Sequence, residues 1–163
     1  MQLKYVFFKG KSLLSNLIKF WTRSEYSHVA FLLGDDTLIE CWGDSIFDVK
    51  WQIVSPPFKN HQSGTQIEIW SLNVSKQEYE FVKDFMFRLG LSSFSYDYIG
   101  ILSFVLKIEK HNRHGFFCSE GCIYPITKYR DWKTIKPHHI SPIMFLNILE
   151  SIGAKREKSF VLE

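Results

Sequence analysis

At 163 residues, 45% hydrophobic and 17% aromatic, the chain can bury one full core without disulfide staples, which excludes a disordered polymer. Its net charge of +3 comes from scattered Lys and Arg residues with no basic run longer than two, so no nucleic-acid footprint is indicated. Three cysteines, an odd number, do not make a disulfide framework and point to a reducing compartment.

Residues 3–8 have the β-rich composition of a strand, and Lys9-Gly10-Lys11 turns the chain. Ser12 is placed to cap a helix whose apolar positions Leu13, Leu14, Leu17, Ile18 and Trp21 fall at helical spacing. Residues 28–33 and 37–42 read as the strands of a hairpin closed by Gly34-Asp35-Asp36, and 47–54 as a weaker strand. The polar, Pro- and Gly-bearing stretch 55–64 reads as a loop. Residues 66–72, where Ile67 and Ile69 alternate with Gln66 and Glu68, suit a half-buried strand. Ser75-Lys76-Gln77-Glu78 is a capping box; it opens a helix with Tyr79, Val82, Phe85, Met86 and Leu89 on one face and Gly90 as its stop. A Ser-rich link leads to Tyr96-Asp97-Tyr98 and a helix-like apolar stretch over 99–106. Cys118 starts a helix running to about Thr127. Ser141-Pro142 supplies the N-cap and first-turn proline of a last helix, 143–152, which Gly153 ends. The expected fold is one α+β domain over 1–163, a small antiparallel sheet packed against helices.

No stretch reaches the roughly 18 uninterrupted apolar residues that span a bilayer. The first residues lack the apolar length and small-residue cleavage site of a signal peptide, so a cytoplasmic location is expected. The five tryptophans read as core or groove-lining residues.

The chemistry centres on Phe116-Phe117-Cys118-Ser119-Glu120. A thiol at a helix N-terminus sits among unpaired N–H groups and the positive end of the helix dipole, and both favour thiolate. A histidine beside it turns that thiolate into an ion pair and a working nucleophile. His28 opens a strand whose next residues are all apolar, which suits rigid placement of a general base. Glu40, inside Leu38-Ile39-Glu40-Cys41-Trp42 on the next strand, is placed to hold one imidazole nitrogen while the other faces Cys118. The same residues also fit plainer roles: Cys118 as a small buried hydrophobe, His28 as a core or surface histidine, Glu40 as the solvent-facing residue of an alternating strand. Cys118 and Cys122 lie four apart, not in Cys-x-x-Cys spacing, and no zinc-type pair accompanies them, so no metal or cofactor is expected.

The order of histidine, acidic residue and cysteine at a helix start resembles the circularly permuted papain-like enzymes of the NlpC-type cell-wall amidase superfamily, particularly the YiiX-like branch. The similar segments are Trp21-Thr22-Arg23-Ser24-Glu25-Tyr26-Ser27-His28-Val29-Ala30, Leu38-Ile39-Glu40, Tyr96-Asp97-Tyr98, Phe117-Cys118-Ser119-Glu120 and Ile140-Ser141-Pro142. The resemblance implies a permuted papain-like arrangement with Cys118 as nucleophile, His28 as base, Glu40 as the third member and Tyr96 at the active-site mouth. The Cys118 N–H would contribute to the oxyanion hole. Gly121-Cys122 and Pro125 depart from the family pattern and are expected to shorten or kink the nucleophile's helix.

The preferred reading is a cysteine-dependent hydrolase that cleaves an amide of a peptidoglycan-type peptide or an N-acyl amino acid through an acyl-enzyme. Lipid or thioester acyl transfer on the same fold is the second reading, a non-catalytic binding or effector module the third. A protein that works at a membrane surface through its aromatic N-terminal helix and 104–110 is the fourth.

Overall fold

A computed structural model of the protein describes residues 1–43, 49–92 and 116–163. The fold is α+β. Strands β1 (Gln2–Lys9), β2 (His28–Leu33), β3 (Thr37–Trp42), β4 (Lys50–Val54), β5 (Gln66–Asn73) and β6 (Lys155–Val161) form one antiparallel sheet in the order β4-β3-β2-β1-β5-β6. The described α-helices are α1 (Leu13–Thr22), α2 (Lys76–Leu91), α3 (Cys118–Tyr129) and α4 (Pro142–Ser151).

Side-chain alternation splits the interior into two cores. Leu3, Tyr5, Phe7, Val29, Phe31, Ile39, Cys41 and Trp51 share one core with residues of α2, α3 and α4. Val6, Phe8, Ala30, Leu32, Leu38 and Val54 form the other, joined by Phe58, Phe160 and Leu162. Strand β1 feeds both, which is why its sequence is nearly continuous in apolar residues rather than alternating.

The sheet is larger than expected because of β6. Its residues Lys-Arg-Glu-Lys-Ser-Phe-Val are exposed except for partly buried Phe160, so no apolar alternation announces it. Among the described residues β5 is its one strand neighbour, Phe160 packs on Phe58, and its charges suit an edge strand.

Helix caps follow the sequence closely. Ser12 accepts from the Ser15 N–H, Ser75 from Glu78 and Ser141 from Met144. The Ser75 box is only half as expected: Glu78 turns its carboxylate to the Arg130 Nε at 2.6 Å and ties α2 to α3. Gly90 does not stop α2, which runs on to Leu91. A Cβ there would meet Ile53 Cγ1 at 2.7 Å, so Gly90 is a point of close helix–sheet approach.

Gly121 plays the same part in α3, where a Cβ would lie 2.3 Å from Trp51 Cζ2. Trp51 also donates from Nε1 to the Phe116 carbonyl at 3.0 Å, which fixes the chain just before α3 begins. Pro125 does not shorten the helix; α3 continues past it to Tyr129. Trp51 and Trp70 are buried as expected, whereas Trp21 is 51% exposed. The stretch 99–106 and Tyr96 lie outside the described residues.

Candidate active site

The β2–β3 ladder runs from Leu33↔Thr37 to Phe31↔Ile39 and no further. His28 and Glu40 therefore stand on strand halves not paired to each other, and the Val29 N–H finds its partner outside the sheet. That partner is the sulfur of Cys118.

Cys118 is the first residue of α3 and only 4% exposed. Burial alone would push its thiol up. The hydrogen bond and charge of His28, with the N–H groups of Val29 and Ser119, outweigh burial and hold it below the ordinary thiol value. Burial likewise opposes the charge on His28, but Cys118 and then Glu40 overcome it and raise its pKa from 6.5 to about 9. Both shifts favour a thiolate facing an imidazolium over the neutral pair.

Glu40 has no solvent exposure, so the solvent-facing role is excluded. His28 Nε2 donates to its Oε2 at 3.3 Å, leaving Nδ1 as the ring nitrogen for Cys118. Two further donors reach the same carboxylate: His61 Nε2 to Oε2 at 2.8 Å and Asn60 Nδ2 to Oε1 at 3.2 Å. Burial alone would raise the Glu40 pKa, but its bonds with His28 and then His61 bring it down to about 2. His61 is shifted the other way. Burial lowers its pKa despite the carboxylate, so it stands as a neutral ring giving its Nε2 proton to Glu40. It stacks on Phe8 with centroids 4.0 Å apart and planes 9° apart, and the Trp42 ring lies at 4.6 Å.

Cys118, His28 and Glu40 thus come together from α3, β2 and β3. Asn60 and His61 were not foreseen. They sit in the polar stretch after β4, and no spacing in sequence ties that loop to β3; only the fold of the loop across Phe8 does. The ligating atoms of His28, Glu40 and His61 lie within 4.8 Å of one another, so these three side chains are of a type and closeness that can hold a divalent transition metal. Three separate segments supply them, which is why a search for paired spacings did not show the group.

No protein-family model matches this chain, and no curated protein matches it. The chemistry is therefore read from the site itself. The Cys118 sulfur faces the His28 ring, that ring a buried carboxylate, and the carboxylate two further neutral donors. Beside the sulfur, the first turn of α3 presents backbone N–H groups that have no partner within the helix, a favourable place for a developing oxyanion. The other two thiols differ: burial, and then the charge of Cys118, push Cys41 and Cys122 well above the ordinary thiol value. No helix among the described residues is long and apolar enough to cross a membrane.

Proposed function

We propose that this chain is a cysteine-dependent hydrolase with the permuted papain-like arrangement, related to the YiiX-like branch of the NlpC-type superfamily. The observation that carries the reading is the depressed Cys118 thiol at the first turn of α3, paired with a His28 imidazolium that is itself anchored on Glu40. In the proposed reaction Sγ attacks a carbonyl carbon, forming a C–S bond and an oxyanion. As the C–N bond breaks, the His28 proton passes to the leaving amine. Water then attacks the acyl-enzyme and gives its proton to His28, while the sulfur leaves as thiolate. The substrate class is an amide of a peptidoglycan-type peptide or an N-acyl amino acid.

The test is labelling with a thiol-directed acyl probe, followed by a screen of amides and esters. One rapid adduct on Cys118, absent in Cys118→Ala, is the expected result. A slow Cys118, no faster than Cys41 or Cys122, would remove the enzyme readings and leave the binding-module and membrane-surface readings standing.

A further inference from the structure

Helix α1 carries three large apolar side chains on the outside. Leu17, Phe20 and Trp21, spaced i, i+3, i+4 on one face, are 48%, 73% and 51% exposed. Ile18 and Thr22, on the opposite side, are partly buried. A helix of a globular protein normally turns its large apolar residues inward and its charges outward. Here an indole and a phenyl ring project from the last turn into water.

The charges beside this strip are basic. Lys9, Lys19, Phe20, Arg23, Ser24 and Glu25 line an open depression of about 650 Å³. Its one acid, Glu25, is held by Lys9 at 2.6 Å, so Lys19 and Arg23 set the sign of the surface. Aromatic rings flanked by Lys and Arg are suited to the boundary between headgroups and acyl chains, where the rings enter the interface and the cations meet phosphates.

We propose that α1 docks on an anionic phospholipid surface, with Leu17, Phe20 and Trp21 in the interface and lipid phosphates beside Lys19 and Arg23. A second copy of the chain is the poorer occupant, since self-association through this face would bring the same cations together. Residues 23–27 join α1 directly to His28, so docking holds the start of β2 close to the membrane. The inference does not depend on the chemistry of Cys118.

The experiment is flotation of the full chain with vesicles of phosphatidylcholine alone and of equal parts phosphatidylcholine and phosphatidylglycerol. Binding to the mixed vesicles, weakened by salt and much poorer on phosphatidylcholine alone, is expected. Phe20→Ser combined with Trp21→Ser should abolish it, and Lys19→Gln combined with Arg23→Gln should weaken it about thirtyfold. Circular dichroism and Cys118 alkylation should stay as in wild type for both variants, which separates lost docking from lost folding. No binding to the mixed vesicles, or equal binding by the aromatic variant, overturns the proposal. So does a dimer seen by light scattering that Trp21→Ser dissolves, because a second copy would then own the face.

Discussion

Cys118 and Cys122 lie one turn apart on α3, and both are buried. Burial drives both thiols upward, yet Cys118 ends below the ordinary value and Cys122 well above it. The difference lies in what faces the sulfur. Cys118 meets an imidazolium and two backbone N–H groups at the open end of the helix, whereas the second turn has spent its N–H groups on helical bonds. Reactivity here is decided by donors, not by depth.

Two buried carboxylates draw the same contrast. Glu68, 3% exposed, lies within 3.4 Å of the fixed cation of Lys9 and 3.6 Å of Arg156, and accepts from Trp70 Nε1 at 3.1 Å. Glu40 is held by two imidazoles and an amide, so its surroundings change charge when His28 gives up a proton. The first arrangement is suited to holding structure, the second to proton transfer.

The contrast between the two thiols breaks most sharply at the cysteines themselves. Cys118→Ala should abolish turnover and rapid alkylation while keeping the fold, and Cys122→Ala should retain both. A dead Cys122→Ala beside an active Cys118→Ala, in a rate assay on any substrate the screen yields, would reverse the assignment. Next comes His28→Ala, which removes an acid–base group worth roughly 10²–10⁴-fold in rate. Glu40→Gln should cost less, because the amide still accepts a hydrogen bond from the imidazole but no longer stabilises it by charge. Wild-type turnover in Glu40→Ala would reduce Glu40 to a structural residue.

Acid unfolding sharpens the carboxylate comparison. The Glu40 pKa of about 2 lies below its ordinary 4.5, so its stabilisation is complete above pH 4.5 and is lost as pH falls towards 2. That loss is roughly 3 kcal/mol, read from urea midpoints across the range. His61→Phe removes one donor from the carboxylate and should move the acid transition to higher pH, whereas His61→Gln, which keeps a donor, should move it less. The smallest effect is Gly121→Ala. Its methyl would press on Trp51, costing about 1–3 kcal/mol of stability by thermal melt; an unchanged melting temperature would show that Trp51 can shift.

Features governed by local chemistry were legible in the sequence. Ser12, Ser75 and Ser141 cap where their side chains can reach the backbone, and the β2–β3 hairpin follows from the spacing of its two apolar segments about the Gly34-Asp35-Asp36 turn. Cys118, His28 and Glu40 were also legible, since a helix start and neighbouring strands restrict what can meet. What could not be read depends on tertiary contact. Gly90 resembles a helix stop but is a close approach to Ile53. The charges of β6 hide a strand held by backbone pairing. Asn60 and His61 reach Glu40 only because their loop folds across Phe8. Pro125, expected to shorten or kink its helix, lies within one that continues past it, near buried Ile123 and Ile126.

The most direct test of the thiolate–imidazolium pair is the rate of Cys118 alkylation by iodoacetamide against pH, in wild type and in His28→Ala. In wild type the reactive form should appear at lower pH than in a free thiol. In His28→Ala the apparent pKa should rise towards that of a free thiol, about 8.5, and the rate at pH 6 should fall. Superimposable profiles would remove His28 from the site and contradict the account.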